Sequence, residues 1–153
     1  MDNQKIFDNS VVLITGGTGS FGSFFSRYLF EKYKKIKKII IFSRDELKQS
    51  EMIKKNSKFS KVFRYFIGDI RDKERLMMAI EASINTNVKH LISLSTDKAS
   101  SPINLYGSTK LAADKLVCAA YNIAGKKKIN FSVVRYGNVL GSRGSILDYF
   151  LKL

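Results

Sequence analysis

Residues 11–22 read Val-Val-Leu-Ile-Thr-Gly-Gly-Thr-Gly-Ser-Phe-Gly. A β-branched, apolar run leads straight into a turn carrying Gly16, Gly19 and Gly22, and an amphipathic pattern follows at once. Strand, glycine turn and helix start together make a cradle for an anion. The first amides of a helix have no internal acceptor, and the helix dipole is positive at that end. Glycine permits the sharp turn, the approach of a diphosphate to bare backbone, and close packing of helix on strand. The spacing is G-x-x-G-x-x-G, one residue longer in its first gap than the dinucleotide fingerprint G-x-G-x-x-G. Thr18, Ser20 and Phe21 lie between these glycines and complete the candidate cofactor loop. A glycine-rich strand-to-helix turn with no ligand has the same composition; the strand before it and the helix after it favour the dinucleotide.

Working outward, strand patterns at residues 10–15, 38–43, 62–67, 88–95 and 129–136 alternate with helix patterns at 20–33, 45–56, 71–82 and 104–124, and a last helix is expected over 145–153. In the first helix Phe21, Phe24, Phe25, Tyr28 and Leu29 fall at helical spacing and are expected to form its apolar face. Residues 38–43 are a near-continuous apolar run, the mark of a parallel strand covered on both faces. Asp45 stands at the start of the second helix as its cap, and Gly125 stops the fourth. Strands alternating with helices predict an α/β fold with a doubly wound parallel sheet, the Rossmann architecture.

The 153 residues suit a single domain, expected over residues 1–153. No apolar run reaches the eighteen or more residues that span a bilayer. The polar start, residues 1–9, lacks the build of a signal peptide. One cysteine excludes an internal disulfide and fits a reducing compartment, so the chain is expected in the cytoplasm. One histidine and one cysteine make a transition-metal site improbable, and no metal is expected. His90 is expected at the surface and Cys118 in the core. The formal charge of +14 raises nucleic acid or an anionic membrane surface as partners. The lysines are dispersed over helix ends and solvated faces, however, so neither is expected, whereas a phosphate-bearing small molecule profits from the same charge.

Which dinucleotide is bound turns on the end of the second strand. An Asp or Glu there would hold the ribose 2′-hydroxyl of NAD. The strand instead ends Phe42-Ser43-Arg44, a hydroxyl and a guanidinium that suit the 2′-phosphate of NADP. Asp45 is expected to turn into the helix cap. Asp69 and Ile70 end the third strand where the adenine edge would lie, and Asp69 serves equally as a cap for the next helix. Ser95-Thr96-Asp97-Lys98 and Tyr106-x-x-x-Lys110 form a second constellation. Residues four apart on a helix share a face. A lysine ammonium beside Tyr106 would stabilise its phenolate, and Tyr106 could then act as a base near neutrality.

In family order stand residues 15–22, Ser43-Arg44-Asp45-Glu46-Leu47-Lys48-Gln49, Gly68-Asp69-Ile70-Arg71-Asp72, Leu94-Ser95-Thr96-Asp97-Lys98, Asn104-Leu105-Tyr106-Gly107 and Arg135-Tyr136-Gly137-Asn138-Val139. Together they resemble the extended short-chain dehydrogenase/reductases of polysaccharide biosynthesis. Within these the chain is most similar to the C5-inverting UDP-N-acetylglucosamine 4,6-dehydratases of pseudaminic acid synthesis and flagellin glycosylation. Asp-Lys at 97–98 separates it from dTDP-glucose 4,6-dehydratases, which carry Asp-Glu. The C5-retaining dehydratases are the nearest alternative. The resemblance implies NADP as cofactor, with Lys48 joining Ser43 and Arg44, and UDP-N-acetylglucosamine as substrate. It implies oxidation at C4, loss of water across C5–C6, and return of hydride to C6. Tyr106 with Lys110 would take the O4 proton, Lys98 the C5 proton, and Asp97 would protonate the leaving C6 hydroxyl. Thr96 would hold a sugar hydroxyl, and Asn138 and the 141–145 loop, with Arg143, would meet the substrate and its diphosphate. Family members are homo-oligomers.

Two departures from the family stand out. The chain is expected to lack the C-terminal region that closes over the UDP-sugar. Internally, Ala79-Ile80-Glu81-Ala82-Ser83 runs directly into Asn87-Val88-Lys89-His90, so one strand–helix unit, about 30 or more residues, is expected to be missing. In the family that strand neighbours the first strand and lines the nicotinamide, and its helix enters the dimer interface. Residues 88–95 then either slide beside the first strand or leave its edge open. Either change is expected to leave a weak or inactive enzyme, and a non-catalytic nucleotide-binding remnant is the alternative function.

Overall fold

The computed structural model describes residues 5–57, 61–68, 73–139 and 150. Asp69, Ile70, Arg143, the 141–145 loop and, Phe150 apart, the helix expected over 145–153 lie outside the described residues. The chain divides into two compact units, residues 1–69 and 70–153.

The first unit runs β1 (Val11–Thr15), α1 (Ser20–Lys32), β2 (Lys38–Ser43), α2 (Glu46–Lys55) and β3 (Phe63–Ile67). Its strands form a parallel sheet of order β1-β2-β3, in register Val11 with Lys38 and Ile39 with Phe63. Ile39 and Ile41 of the central β2 are fully buried among Ile14, Leu29, Tyr33, Ile36, Met52 and Phe63. The α1 face differs from the expected one. Gly22, Ser26 and Leu29 are buried, whereas Phe24 is 69% exposed and Phe21 and Tyr28 remain at the surface. The reason is the close approach at Gly22, which turns the narrow Gly22–Ser26–Leu29 stripe onto the sheet and pushes the aromatic stripe aside. Asp45 caps α2 as expected, its Oδ1 accepting from the Lys48 amide at 3.0 Å. That amide, and behind it the Lys48 side chain, holds the Asp45 carboxyl below the ordinary value.

The second unit holds α3 (Lys73–Asn85), β4 (His90–Thr96), a 3-10 turn (Asp97–Ala99), α4 (Leu105–Ala124) and β5 (Asn130–Tyr136). β4 and β5 pair in parallel, from His90 with Asn130 to Thr96 with Tyr136. Their core is Ile80, Ile84, Val117, Ala120, Ala124 and Ile129. Asn104 caps α4 through the Gly107 amide at 2.9 Å, and Gly125, at φ +58°, ends it. Cys118, expected in the core, is exposed. The buried line of α4 is Gly107, Asp114, Val117, Ala120 and Ala124, and Cys118 is rotated about 100° from Val117 around the helix. His90 is exposed, as expected.

All the strand pairs are parallel and helices separate the strands, so the fold class is the predicted α/β one in partial form. The strands form two sheets among the described residues, one of three strands and one of two, where a single sheet was expected. Among the described residues, β1 pairs only with β2, and its other edge carries no strand. Val11 is 54% and Leu13 59% exposed, unusual for the first strand of such a sheet. Among the described residues β4 pairs with β5 and not with β1. No described helix is long and apolar enough to cross a membrane, and no described residues cluster as metal ligands.

Candidate functional site

The glycine turn has the geometry a diphosphate needs. Gly16 sits at φ +62°, a left-handed conformation that favours glycine. A Cβ on Gly22 would lie 2.6 Å from Gly17 Cα and 2.9 Å from the Gly16 carbonyl oxygen, so only glycine allows α1 to start so close to the turn. The helix N-cap is Gly19, which offers no side-chain oxygen to the first amides, and the first turn carries no acidic residue. Both features leave the positive end of α1 to an external anion.

At the end of β2 the expected residues are differently occupied. Ser43 is 6% exposed. Arg44 is exposed. Lys48 Nζ lies 2.9 Å from Asp45 Oδ2, so its ammonium is paired within α2. Gln49, which the sequence did not single out, is buried and donates to the Ser43 hydroxyl oxygen at 3.0 Å and to the Phe66 carbonyl at 2.7 Å.

In the second unit the structure brings four of the expected residues together. Thr96 Oγ1 donates to Asp97 Oδ1 at 2.9 Å, and Lys98 Nζ lies 3.2 Å from the same oxygen. Lys98 Nζ also donates to Asn138 Oδ1 at 3.0 Å, joining the loops that follow β4 and β5. The Thr96 hydroxyl first, then the Lys98 ammonium, holds the Asp97 carboxyl below the ordinary carboxylate value. A carboxyl depressed on folding contributes stability that is present above its unfolded pKa and is lost as pH falls through the folded one. Replacing Thr96 by valine is therefore expected to move the Asp97 titration upward toward the ordinary value, read by carbon-detected NMR. An unmoved titration would contradict the assigned cause.

Tyr106 is placed on the first turn of α4, 53% exposed. The Lys110 ammonium is directed to the Leu94 carbonyl at 3.5 Å. The expected Lys110 partnership with the Tyr106 hydroxyl is not made among the described residues. Behind the cluster lies a second residue the sequence did not single out. Asp114 is 4% exposed and its Oδ2 accepts from Ser95 Oγ and from Arg135 Nε, each at 2.9 Å. It thus holds the ends of β4 and β5 immediately before Thr96 and Tyr136. Its position in the K-x-x-x-D run after Tyr106 was the only sequence signal.

A family model described as "Polysaccharide biosynthesis protein" matches residues 12–82 and 77–153. The UDP-N-acetylglucosamine 4,6-dehydratase (inverting) of Campylobacter jejuni subsp. jejuni serotype O:23/36 (strain 81-176) is 48% identical over 186 residues, covering 97% of this chain and 54% of that protein. The UDP-glucose 4-epimerase of Rickettsia bellii (strain RML369-C) is 35% identical, over 95% of this chain and 54% of that protein. Among solved structures, the X-ray structure of Pen from Bacillus thuringiensis matches with a TM-score of 0.85 at 30% identity, over 95% of this chain and 56% of that one. A dTDP-glucose 4,6-dehydratase from Bacillus anthracis, solved in complex with NAD, matches at TM-score 0.67 and 19% identity, over 82% of this chain and 54% of that one, a likeness of fold. The chain spans about half the length of the curated relatives it matches. The 48% alignment is 186 residues long, whereas 97% of 153 residues is about 148, so about 38 aligned positions belong to the relative alone. The two family-model matches meet and overlap at residues 77–82, where the missing strand–helix unit was expected.

Proposed function

This chain belongs to the polysaccharide biosynthesis protein family, and from that premise we propose that residues 1–153 are the nucleotide-binding domain of an NADP-dependent UDP-N-acetylglucosamine 4,6-dehydratase, a lyase of the short-chain dehydrogenase/reductase type. The single observation that carries the proposal is the identity to the inverting dehydratase over nearly the whole chain, with the glycine cradle intact. Gly16, Thr18, Gly19, Ser20, Phe21 and Gly22 would hold the cofactor diphosphate. Ser43, Arg44 and Lys48 would face the 2′-phosphate, and Asp69 and Ile70 the adenine. When bound, the nicotinamide supplies the hydride acceptor at C4 and the donor returned to C6. The enzyme would work in the cytoplasm on a free sugar nucleotide, with no nucleic acid or membrane partner.

Tyr106, assisted by Lys110, takes the O4 proton; Thr96, Asn138 and Arg143 hold the substrate. Elimination needs a base for the C5 proton and an acid for the C6 hydroxyl. Lys98 and Asp97 supply both if one proton moves from Lys98 Nζ to Asp97 across their 3.2 Å contact. In water the ion pair is strongly preferred, and the Thr96 and Lys98 contacts that hold the Asp97 carboxyl low add to that preference. A bound substrate that excludes water disfavours both charged forms and weakens it. After elimination Lys98 holds the C5 proton, Asp97 has lost its own to the departing water, and the ion pair is restored.

A second reading is favoured by the open edge of β1: the 153-residue chain binds the dinucleotide but turns over slowly or not at all. The family places the strand that lines the nicotinamide at that edge, and catalytic geometry tolerates only about 0.5 Å of error. Incubating the purified chain with UDP-N-acetylglucosamine and NADP decides between the two. The expected result is no 4-keto-6-deoxy product. Ready formation of product restores the catalytic reading, and its C5 configuration separates inverting from retaining chemistry.

A further inference from the structure

The buried line of α4 runs Gly107, Asp114, Val117, Ala120 and Ala124, so one carboxylate stands in an otherwise apolar row. Its Oδ2 accepts from Ser95 Oγ and from Arg135 Nε, while its Oδ1 is buried with no hydrogen-bond partner among the described residues. Burying a charge is costly, and an unpaired buried oxygen adds to the cost. A well-packed apolar side chain in place of a buried ion pair is often as stable or more so. Stability alone therefore does not account for a carboxylate here. What a carboxylate has and an apolar side chain lacks is direction: its bonds hold only when the donors stand at a fixed distance and angle.

The two donors are partners in the β4–β5 register, and each stands just before a part of the cluster. Ser95 precedes Thr96, Asp97 and Lys98, and Arg135 precedes Tyr136, Gly137 and Asn138. Arg135 Nη1 also lies 3.5 Å from Ser100 Oγ, immediately past the 3-10 turn. On α4 itself Lys110 stands one turn before Asp114, and its ammonium is directed to the carbonyl of Leu94, the residue before Ser95. One carboxylate thus ties the helix of Tyr106 and Lys110 to both strand ends. The Lys98–Asn138 bond, 3.0 Å between the loops that follow those strands, lies directly beyond. We propose that Asp114 is a positioning residue, which holds α4, β4 and β5 in fixed register and so brings Asp97, Lys98 and Asn138 together. It acts through Ser95 and Arg135, from behind the cluster. What the cluster is positioned for rests on the dehydratase reading.

The test reads the Asp97 titration by carbon-detected NMR in the purified chain, with no cofactor or substrate added, for wild type, Asp114→Leu, Asp114→Asn, Ser95→Ala and Val117→Ala. The Thr96 hydroxyl and the Lys98 ammonium hold the Asp97 carboxyl low. A strand end released from α4 loosens both contacts, so Asp114→Leu and Ser95→Ala are expected to move the titration upward by about 0.5 pH unit. Removing the Asp114 charge acts in the opposite sense, since one fewer negative charge favours ionised Asp97. An upward movement therefore reports position and not charge. Asp114→Asn, which keeps an acceptor for Ser95, is expected to stay within about 0.2 pH unit of wild type. Val117→Ala weakens the packing of the same buried line and removes no polar bond, and is expected to leave the titration unmoved. An unmoved or lowered titration in Asp114→Leu, or an equal upward movement in Val117→Ala, would make Asp114 a packing residue and overturn the inference. Should Asp114→Leu not fold, Ser95→Ala decides by the same criterion. Because neither cofactor nor substrate is present, the inference can fail while product formation upholds the dehydratase reading, and the positioning can stand where that reading fails.

Discussion

Gly22→Ala is expected to cost the chain its dinucleotide affinity by about 100-fold. The added methyl would stand 2.6 Å from Gly17 Cα, 2.9 Å from the Gly17 carbonyl carbon and 2.9 Å from the Gly16 oxygen, all of them backbone. No side chain can swing aside, so either the turn or the start of α1 must move. Overpacking of this kind costs about 1–3 kcal/mol, and the upper end corresponds to about 100-fold in affinity. The displaced groups are the amides that face the anion, so binding bears the loss directly. Gly16→Ala is the informative contrast. Its Cβ would meet nothing within 4 Å, and the cost there is the left-handed φ of +62° alone, about 1–2 kcal/mol. Titration with NADP and a thermal melt measure both variants. Gly22→Ala binding as tightly as Gly16→Ala would refute the close-approach argument.

Asp114→Ala is expected to cost the second unit about 2–3 kcal/mol of stability. Removing the carboxylate strands Ser95 Oγ, in a residue 3% exposed, and leaves Arg135 Nε without its 2.9 Å partner. Breaking a buried ion pair commonly costs about 3–5 kcal/mol. The Arg135 side chain is 39% exposed and water compensates part of that loss. Asp114→Asn keeps an acceptor but loses the charge, and is expected to cost about 1 kcal/mol. Oδ1 of Asp114 is buried with no hydrogen-bond partner, so an amide there gains nothing in return. Urea denaturation reads both variants. A loss below about 0.5 kcal/mol for Asp114→Ala would show that Asp114 does not hold the two strand ends together.

The features legible in the sequence were the local ones. β1, the glycine turn and α1 follow from contiguous residues, because a β-branched run, three glycines and a helical period each act within a few residues. Asp45 as the cap of α2 is equally local, its carboxylate accepting from the Lys48 amide, whereas the Asn104 cap was not read from the sequence. The Asp97–Lys98 pair was placed by motif, and the structure adds Asn138, forty residues away, as the partner of Lys98. What the sequence hid was long-range and polar. Gln49 reads as an ordinary helix residue until β2 and β3 bring Ser43 and Phe66 to its amide. Asp114 reads as a surface acid until Ser95 and Arg135 close on it. Phe21, Phe24 and Tyr28 of α1 were misplaced because hydrophobicity alone ranked them above Gly22 and Ser26, whereas Phe25 packs against the core and Leu29 is buried as expected. On this sheet, close approach outweighs apolar area. The missing unit was invisible to periodicity, since the residues flanking it join without a break, and only the resemblance to a longer family exposed it.

A nucleotide cradle at residues 11–22 is tested by one titration. Purified chain is titrated with NADP in a calorimeter. The expected result is saturable binding of one NADP per chain, tighter than NAD and about 100-fold weaker in Gly22→Ala. The absence of any saturable heat with wild type, or binding that Gly22→Ala leaves unchanged, would contradict it.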